Sequence, residues 1–221
     1  MHVVAVVVAG SARALTPVAG VPMVVRAVRA LSGSAPAGRV IVAAADELRP
    51  DVERVIAGMA VDVRAPGALH GIGAHTLQRR DGAGSDDSVT SSADDVVVLH
   101  DACRPLAPAQ LAAAVVDAVR AGHTAAVPVL PLTDTVKSVD DRGTVTGTPD
   151  REGLRVLQTP VAMRAGLLGP DCCENPLAAV RRIAGAGGDV GTVPGHPAAF
   201  AVRSAWDLEL AELIADGRIR L

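Results

Sequence analysis

The sequence predicts an α/β protein, with a mostly parallel β-sheet, helices on both faces and one protruding β-arm. Three observations carry this. Strand-like and helix-like patterns alternate from the first residues. The apolar share of 49% is chiefly Ala, Val and Leu, with one Trp, one Phe and no Tyr, which suits a buried parallel sheet under Ala-rich helices. One stretch, 132–160, breaks the alternation with interleaved Val and Thr and turn residues at "DDRG".

Taken in order, "HVVAVVVA" is a buried strand, "VPMVVRAVRALS" a helix and "GRVIVAAA" a second strand. "DELRPDVERVIAGM" opens on an acidic cap-like residue and reads as a helix. "AVDVRA" is a short strand and "GIGAHTLQRR" a helix. Residues 80–95 are polar and low in complexity, with nothing to bury, and are expected to form a mobile surface loop. "DVVVLHDACRP" is a strand ending in a polar cluster, followed by the helix "APAQLAAAVVDAVRAG" and the strand "HTAAVPVLP". The arm, 133–160, lacks the apolar content for its own core; a lone hairpin is marginal in water, so a partner chain is expected to cover it. A helix near "NPLAAVRRIAGAG", strands "DVGTVPG" and "AAFAVRS" and a last helix "AWDLELAELIAD" complete a single domain over 1–221.

Composition narrows the function. A formal net charge of −3 and few aromatics give no footprint for nucleic acid. The N-terminal apolar run is too short for a membrane span and no basic region precedes it, so a cytoplasmic protein is expected. Cys103, Cys172 and Cys173 form no spaced ligand set. Lysine occurs once, at Lys137, so a mechanism needing two lysines is excluded.

In a mostly parallel sheet, ligands bind beyond the carboxyl ends of the strands, where both "AGSAR" and "HDACRP" fall. The order "VLHDACRPL" and then "LTDTVKSVDDRGTVTGTPDREGLRVLQTP" resembles the 2-C-methyl-D-erythritol 4-phosphate cytidylyltransferase family. Its signature is "VHDAARP" and its arm carries "DT-x-K", "DR" and "QTP" elements. The resemblance implies a Rossmann-like fold of the nucleotide-diphospho-sugar transferase kind, and a homodimer joined by the arm. It also implies transfer of a cytidylyl group from CTP, with magnesium, to a sugar-alcohol phosphate in non-mevalonate isoprenoid synthesis.

Carried over by position, Gly10 and Ser11 belong to the phosphate loop, with Arg13 as its arginine. Asp101 would help bind magnesium and the nucleotide, and Arg104 the substrate. Thr135 and Arg151 match arm positions that contact the substrate phosphate from the partner subunit. Each residue also has a plainer reading: a tight turn for Gly10, a cap for Asp101, an ion pair for Arg104, hairpin contacts for Thr135 and Arg151. Lys137 reads as a solvated arm residue, and His100 as a strand end and not a base, since the family mechanism needs none.

The chain also departs from the pattern. Its first loop, "VAGSARALTPVAGVP", is short, lacks the second glycine and has no lysine. Ala201 stands where a late strand normally supplies the other lysine, His196 replaces an aspartate, and His70 lies opposite a base-recognition arginine. "CENPLAAV" replaces an acidic "DDAS" stretch. Losing one preorganised charge stabiliser typically costs about 10²- to 10³-fold in rate. Arg203, two residues beyond Ala201 and on the same strand face, is the candidate replacement. The expectation is therefore family activity that is weak or lost. A phosphate-ligand-binding or scaffold subunit, and a nucleotidyltransferase with another substrate, are the alternatives.

Overall fold

Strand β1 (Val3–Ala9) is apolar at every position and buried throughout, because it lies inside the sheet with neighbours on both edges. The computed structural model describes residues 2–33, 38–69, 94–169, 172 and 174–220. The expected helix at 71–80 and all but the last two residues of the expected 80–95 loop lie outside these. No helix among the described residues is long and apolar enough to cross a membrane.

On one edge β1 pairs in parallel with β4 (Arg39–Ala44), which pairs with β5 (Asp62–Arg64). On the other it pairs in parallel with β6 (Val96–Asp101). Beyond β6 lie the antiparallel β11 (Val161–Arg164), then β7 (Ala125–Pro131), then β12 (Val190–Pro194) parallel to β7. The returning strand β10 (Arg155–Leu157) pairs with the far end of β7. The sheet is thus mostly parallel, as expected, with β10 and β11 as its antiparallel members.

Side-chain alternation explains why the sheet carries helices on both faces. Val3, Ala5 and Val7 of β1 share one core with α1 (Met23–Ser32), α2 (Arg49–Val55) and α3 (Gln110–Arg120). Val4, Val6 and Val8 point the other way, into a second core with α4 (Pro176–Gly185). Helix α3 commits Ala112, Val115, Val116 and Val119 to the first core, the spacing of one helical stripe. Helix α5 (Ala205–Ala215) covers a third, smaller cluster around Val18, Met23 and Val202. Its start is fixed by a capping box between Ser204 and Asp207.

Three local expectations change. The first loop contains a small hairpin, β2 (Pro17–Val18) with β3 (Val21–Pro22), whose two-residue turn holds Ala19 at φ 47° and Gly20 at φ 75°. The stretch "AAFAVRS" is not a sheet strand. Pro197–Ala199 form a 3-10 turn, braced by the Ala198 N–H donating to His196 Nδ1 at 3.1 Å, which carries the chain off the sheet. Val202 then bonds to the Cys103 carbonyl at 2.7 Å instead of joining a ladder. Asp95, placed in the polar loop by sequence, is buried, and its carboxylate accepts the His2 N–H at 2.7 Å.

The arm is a short hairpin, β8 (Ser138–Val139) with β9 (Val145–Gly147). The Asp140 carboxylate closes its turn by accepting the N–H groups of Arg142 and Thr144. Lys137 Nζ donates to Thr148 Oγ1 across it at 2.6 Å.

His100 closes β6 inside the protein, its Nδ1 3.0 Å from Thr159 Oγ1. Burial lowers its pKa from 6.5 to about 4, so the ring is neutral at physiological pH. Below pH 6.5 the unfolded chain binds a proton that the folded chain refuses, so stability falls as pH falls towards 4. Denaturant unfolding at pH 7 and pH 4.5 is expected to show about 2–3 kcal/mol more acid sensitivity in the parent than in His100→Gln. Leu99→Ala, which empties a fully buried position on β6, should cost about 2–5 kcal/mol at neutral pH.

Candidate functional site

The chain crosses from β1 to β4 in one direction and to β6 in the other, which opens a crevice between the carboxyl ends of β1 and β6. Val8 and Asp101 are register partners there, so the loop after β1 and the turn after β6 lie side by side. A cleft of about 490 Å³ occupies this place. Gly10, Ser11 and Arg13 line it from the first loop, Asp101 and Cys103 from the turn after β6, and Arg203 from the segment before α5. Five of the eight sequence-derived site residues thus share one cavity.

The cleft's chemistry follows from what its groups do not bond. The N–H groups of Gly10, Ser11 and Ala12 donate to no main-chain carbonyl among the described residues. A Cβ at Gly10 would sit 3.6 Å from the Glu174 carbonyl, which frames the cleft's other wall. The exposed guanidiniums of Arg13 and Arg203 have no hydrogen-bond or ion-pair partner among the described residues. Free N–H groups beside two unpaired guanidiniums make a receptor for polyanions.

Asp101 is held from both sides. Its N–H donates to Thr159 Oγ1 at 3.1 Å, and its Oδ1 accepts the Cys103 N–H at 2.9 Å. The Cys103 side chain also hydrogen-bonds to this carboxylate. Burial, with the Asp101 charge beside it, pushes the Cys103 thiol up to about 11, so this cysteine is protonated and a poor nucleophile. The segment leading into α5 is tied down at Asp207, whose carboxyl accepts from the N–H of Arg203 and from Ser204. Those bonds hold its pKa below the usual carboxylate range.

The other three residues lie elsewhere. Arg104 is buried, donating to the Ala199 carbonyl at 2.5 Å and the Leu157 carbonyl at 3.4 Å, and does not line the cleft. It braces the turn before Arg203 against the root of the arm. Gln158 adds a second brace, its amide exchanging two 2.9 Å bonds with the main chain of His196. Thr135 and Arg151 are exposed on the arm, outside the cleft of their own chain. Arg151 donates to the Thr133 carbonyl at 2.8 Å. Ala201 is half-buried and does not line the cleft, and His70 lies outside the described residues.

Sequence reasoning missed Cys103, Glu174 and Asn175 as lining residues. Cys103 follows Asp101 by two in the signature, a spacing that could have been used. Asn175 caps α4, its side chain accepting the Leu177 N–H at 3.1 Å, and so turns that helix's N-terminus towards the cleft.

Residues 6–216 match the family described as 2-C-methyl-D-erythritol 4-phosphate cytidylyltransferase. A relative of that name from Saccharopolyspora erythraea is 39% identical, over 93% of this chain and 92% of its own length. Another from Rhodococcus jostii is 36% identical, over 92% and 87%. Among solved structures, the 4-diphosphocytidyl-2C-methyl-D-erythritol synthase of Anaerococcus prevotii superposes with a TM-score of 0.75 at 19% identity, covering 97% and 98% of the two chains. The cytidylyltransferase of Thermus thermophilus does so with a TM-score of 0.70 at 23% identity, covering 98% and 100%. With the family match, these identities and the shared fold in agreement, this chain belongs to the 2-C-methyl-D-erythritol 4-phosphate cytidylyltransferase family.

Proposed function

We propose that the chain binds CTP in the β1–β6 cleft and transfers its cytidylyl group to 2-C-methyl-D-erythritol 4-phosphate, more slowly than a relative with both family lysines. The observation that carries this reading is the meeting of Arg13, Arg203 and Asp101 on one cleft, with neither guanidinium in a hydrogen bond or ion pair among the described residues. An oxygen of the acceptor phosphate attacks the α-phosphorus of CTP. The bond from that phosphorus to the bridging oxygen breaks, and pyrophosphate leaves with the electron pair. A phosphate dianion needs no general base, and His100, buried and neutral, supplies none.

The work left to the protein is positioning and charge neutralisation. The N–H groups of the Gly10–Ala12 loop and the two arginines are assigned to the phosphates. Magnesium fits as a partner of Asp101, whose carboxylate lines the cleft. No cluster of three or more His, Cys, Asp or Glu occurs among the described residues, and this ion commonly takes one or two carboxylates plus substrate phosphates. Bound there, it would neutralise charge on the phosphate oxygens.

The arm supports a homodimer. Val139 and Val145 on its hairpin are 61% and 60% exposed, a cost that a second copy would relieve. Thr135 and Arg151 would then serve the partner's cleft and hold the acceptor's phosphate. Arg104 acts through the Ala199 turn as a positioning residue.

Pyrophosphate release from CTP and the acceptor, with magnesium, tests this. Slow release above background is expected, with Arg13→Ala and Arg203→Ala each lowering kcat/KM by about 10²- to 10³-fold. No release from the parent under saturating CTP would overturn transfer and favour a phosphate-ligand-binding subunit.

A further inference from the structure

Arg13 and Arg203 each face two cavities. Behind the nucleotide cleft lies a second cavity of about 270 Å³, which they line together with Thr16, Met23, Val202 and Leu208. Met23 and Val202 are buried members of the α5 cluster, and Leu208 packs against it. The cavity therefore combines two guanidiniums, whose charge also reaches the Asp207 carboxylate from Arg13, with the polar Thr16 and Ser204 and an apolar share of its wall. It lies between the short first loop, which returns through the β2–β3 hairpin, and the start of α5.

We propose that this second cavity binds a small phosphate monoester with a short apolar carbon skeleton. The phosphate lies against Arg13 and Arg203, and the carbons lie against Met23, Val202 and Leu208. Charge fixes one end of the ligand: ten N–H donors on two planar forks suit phosphate oxygens. Volume limits the other. At about 30 Å³ per water the cavity holds roughly nine, enough for a phosphate and four or five carbons. Because both cavities draw on the same two guanidiniums, occupancy of one weakens anion binding in the other. The site goes beyond cytidylyl transfer and would let such a ligand throttle it.

The test is calorimetric titration of the whole protein, without CTP, using 3-methylbutyl phosphate, inorganic phosphate and 3-methylbutanol as probes. The signal of Trp206, the chain's one tryptophan, next to Ala205 at the cavity wall, provides a second readout. Each buried methylene contributes about fourfold in affinity. The phosphate ester is therefore expected to bind at least tenfold tighter than inorganic phosphate, with the alcohol not binding detectably. Ala205→Leu, which adds bulk at the cavity wall and keeps both arginines, should shrink that advantage to about threefold or less. Equal affinity for the ester and inorganic phosphate, or a tenfold advantage that survives Ala205→Leu, would overturn the proposal. Since CTP is absent, failure of the transferase reading leaves this test readable. CTP added afterwards should weaken ester binding; simultaneous undiminished binding of both would contradict the shared-arginine arrangement.

Discussion

The parallel pairing of β1 with β6 is the constraint on which the rest depends. Val3 through Val8 of one strand face Val96 through Asp101 of the other in unbroken register. That register buries apolar side chains on both faces, which recruits α1–α3 to one side and α4 to the other. It also fixes where the two strands stop. Because Val8 ends opposite Asp101, the glycine loop and the aspartate turn emerge side by side, whatever their own sequences prefer. The cleft is a consequence of the sheet.

A second layer of the design ties distant segments to that crevice. Arg104 and Gln158 both act on main-chain groups of the 196–199 turn, and Thr159 holds the Asp101 N–H. Residues 157–159, where the arm re-enters the sheet, thus contact both the aspartate turn and the segment that carries Arg203. Movement of the arm would reach the cleft through three hydrogen-bonded side chains. In low dielectric such bonds are strong when made and costly when lost, which explains why these polar groups are buried.

Most of the sheet was legible because its signal is dense: "HVVAVVVA" and "DVVVLHDACRP" can bury both faces only inside a parallel sheet. The cleft residues Gly10, Ser11, Arg13 and Asp101 were legible from position, since they follow strand ends. Arg203 was named for a partly wrong reason. The same-face argument assumed a strand, whereas the chain leaves the sheet at the Pro197 turn and is held by the Cys103 carbonyl. Alternation survives because Val202 is buried and Arg203 exposed on an extended segment. Arg104 shows the opposite limit. Nothing in "DACRP" tells whether an arginine points outward to a ligand or inward to carbonyls, because both destinations offer it oxygen. Glu174 and Asn175 were missed since their approach to Gly10 is a tertiary contact with no local pattern.

The claim at the centre of this account is that Arg203, beside the loop arginine Arg13, has taken over a phosphate site from a lysine. Calorimetric titration of the protein with CTP and magnesium, against ATP, tests it most directly. Selective micromolar binding of CTP, lost when Arg13 and Arg203 are both replaced by alanine, is the result the account predicts. Absence of binding at millimolar CTP, or binding that survives the double replacement, would contradict it.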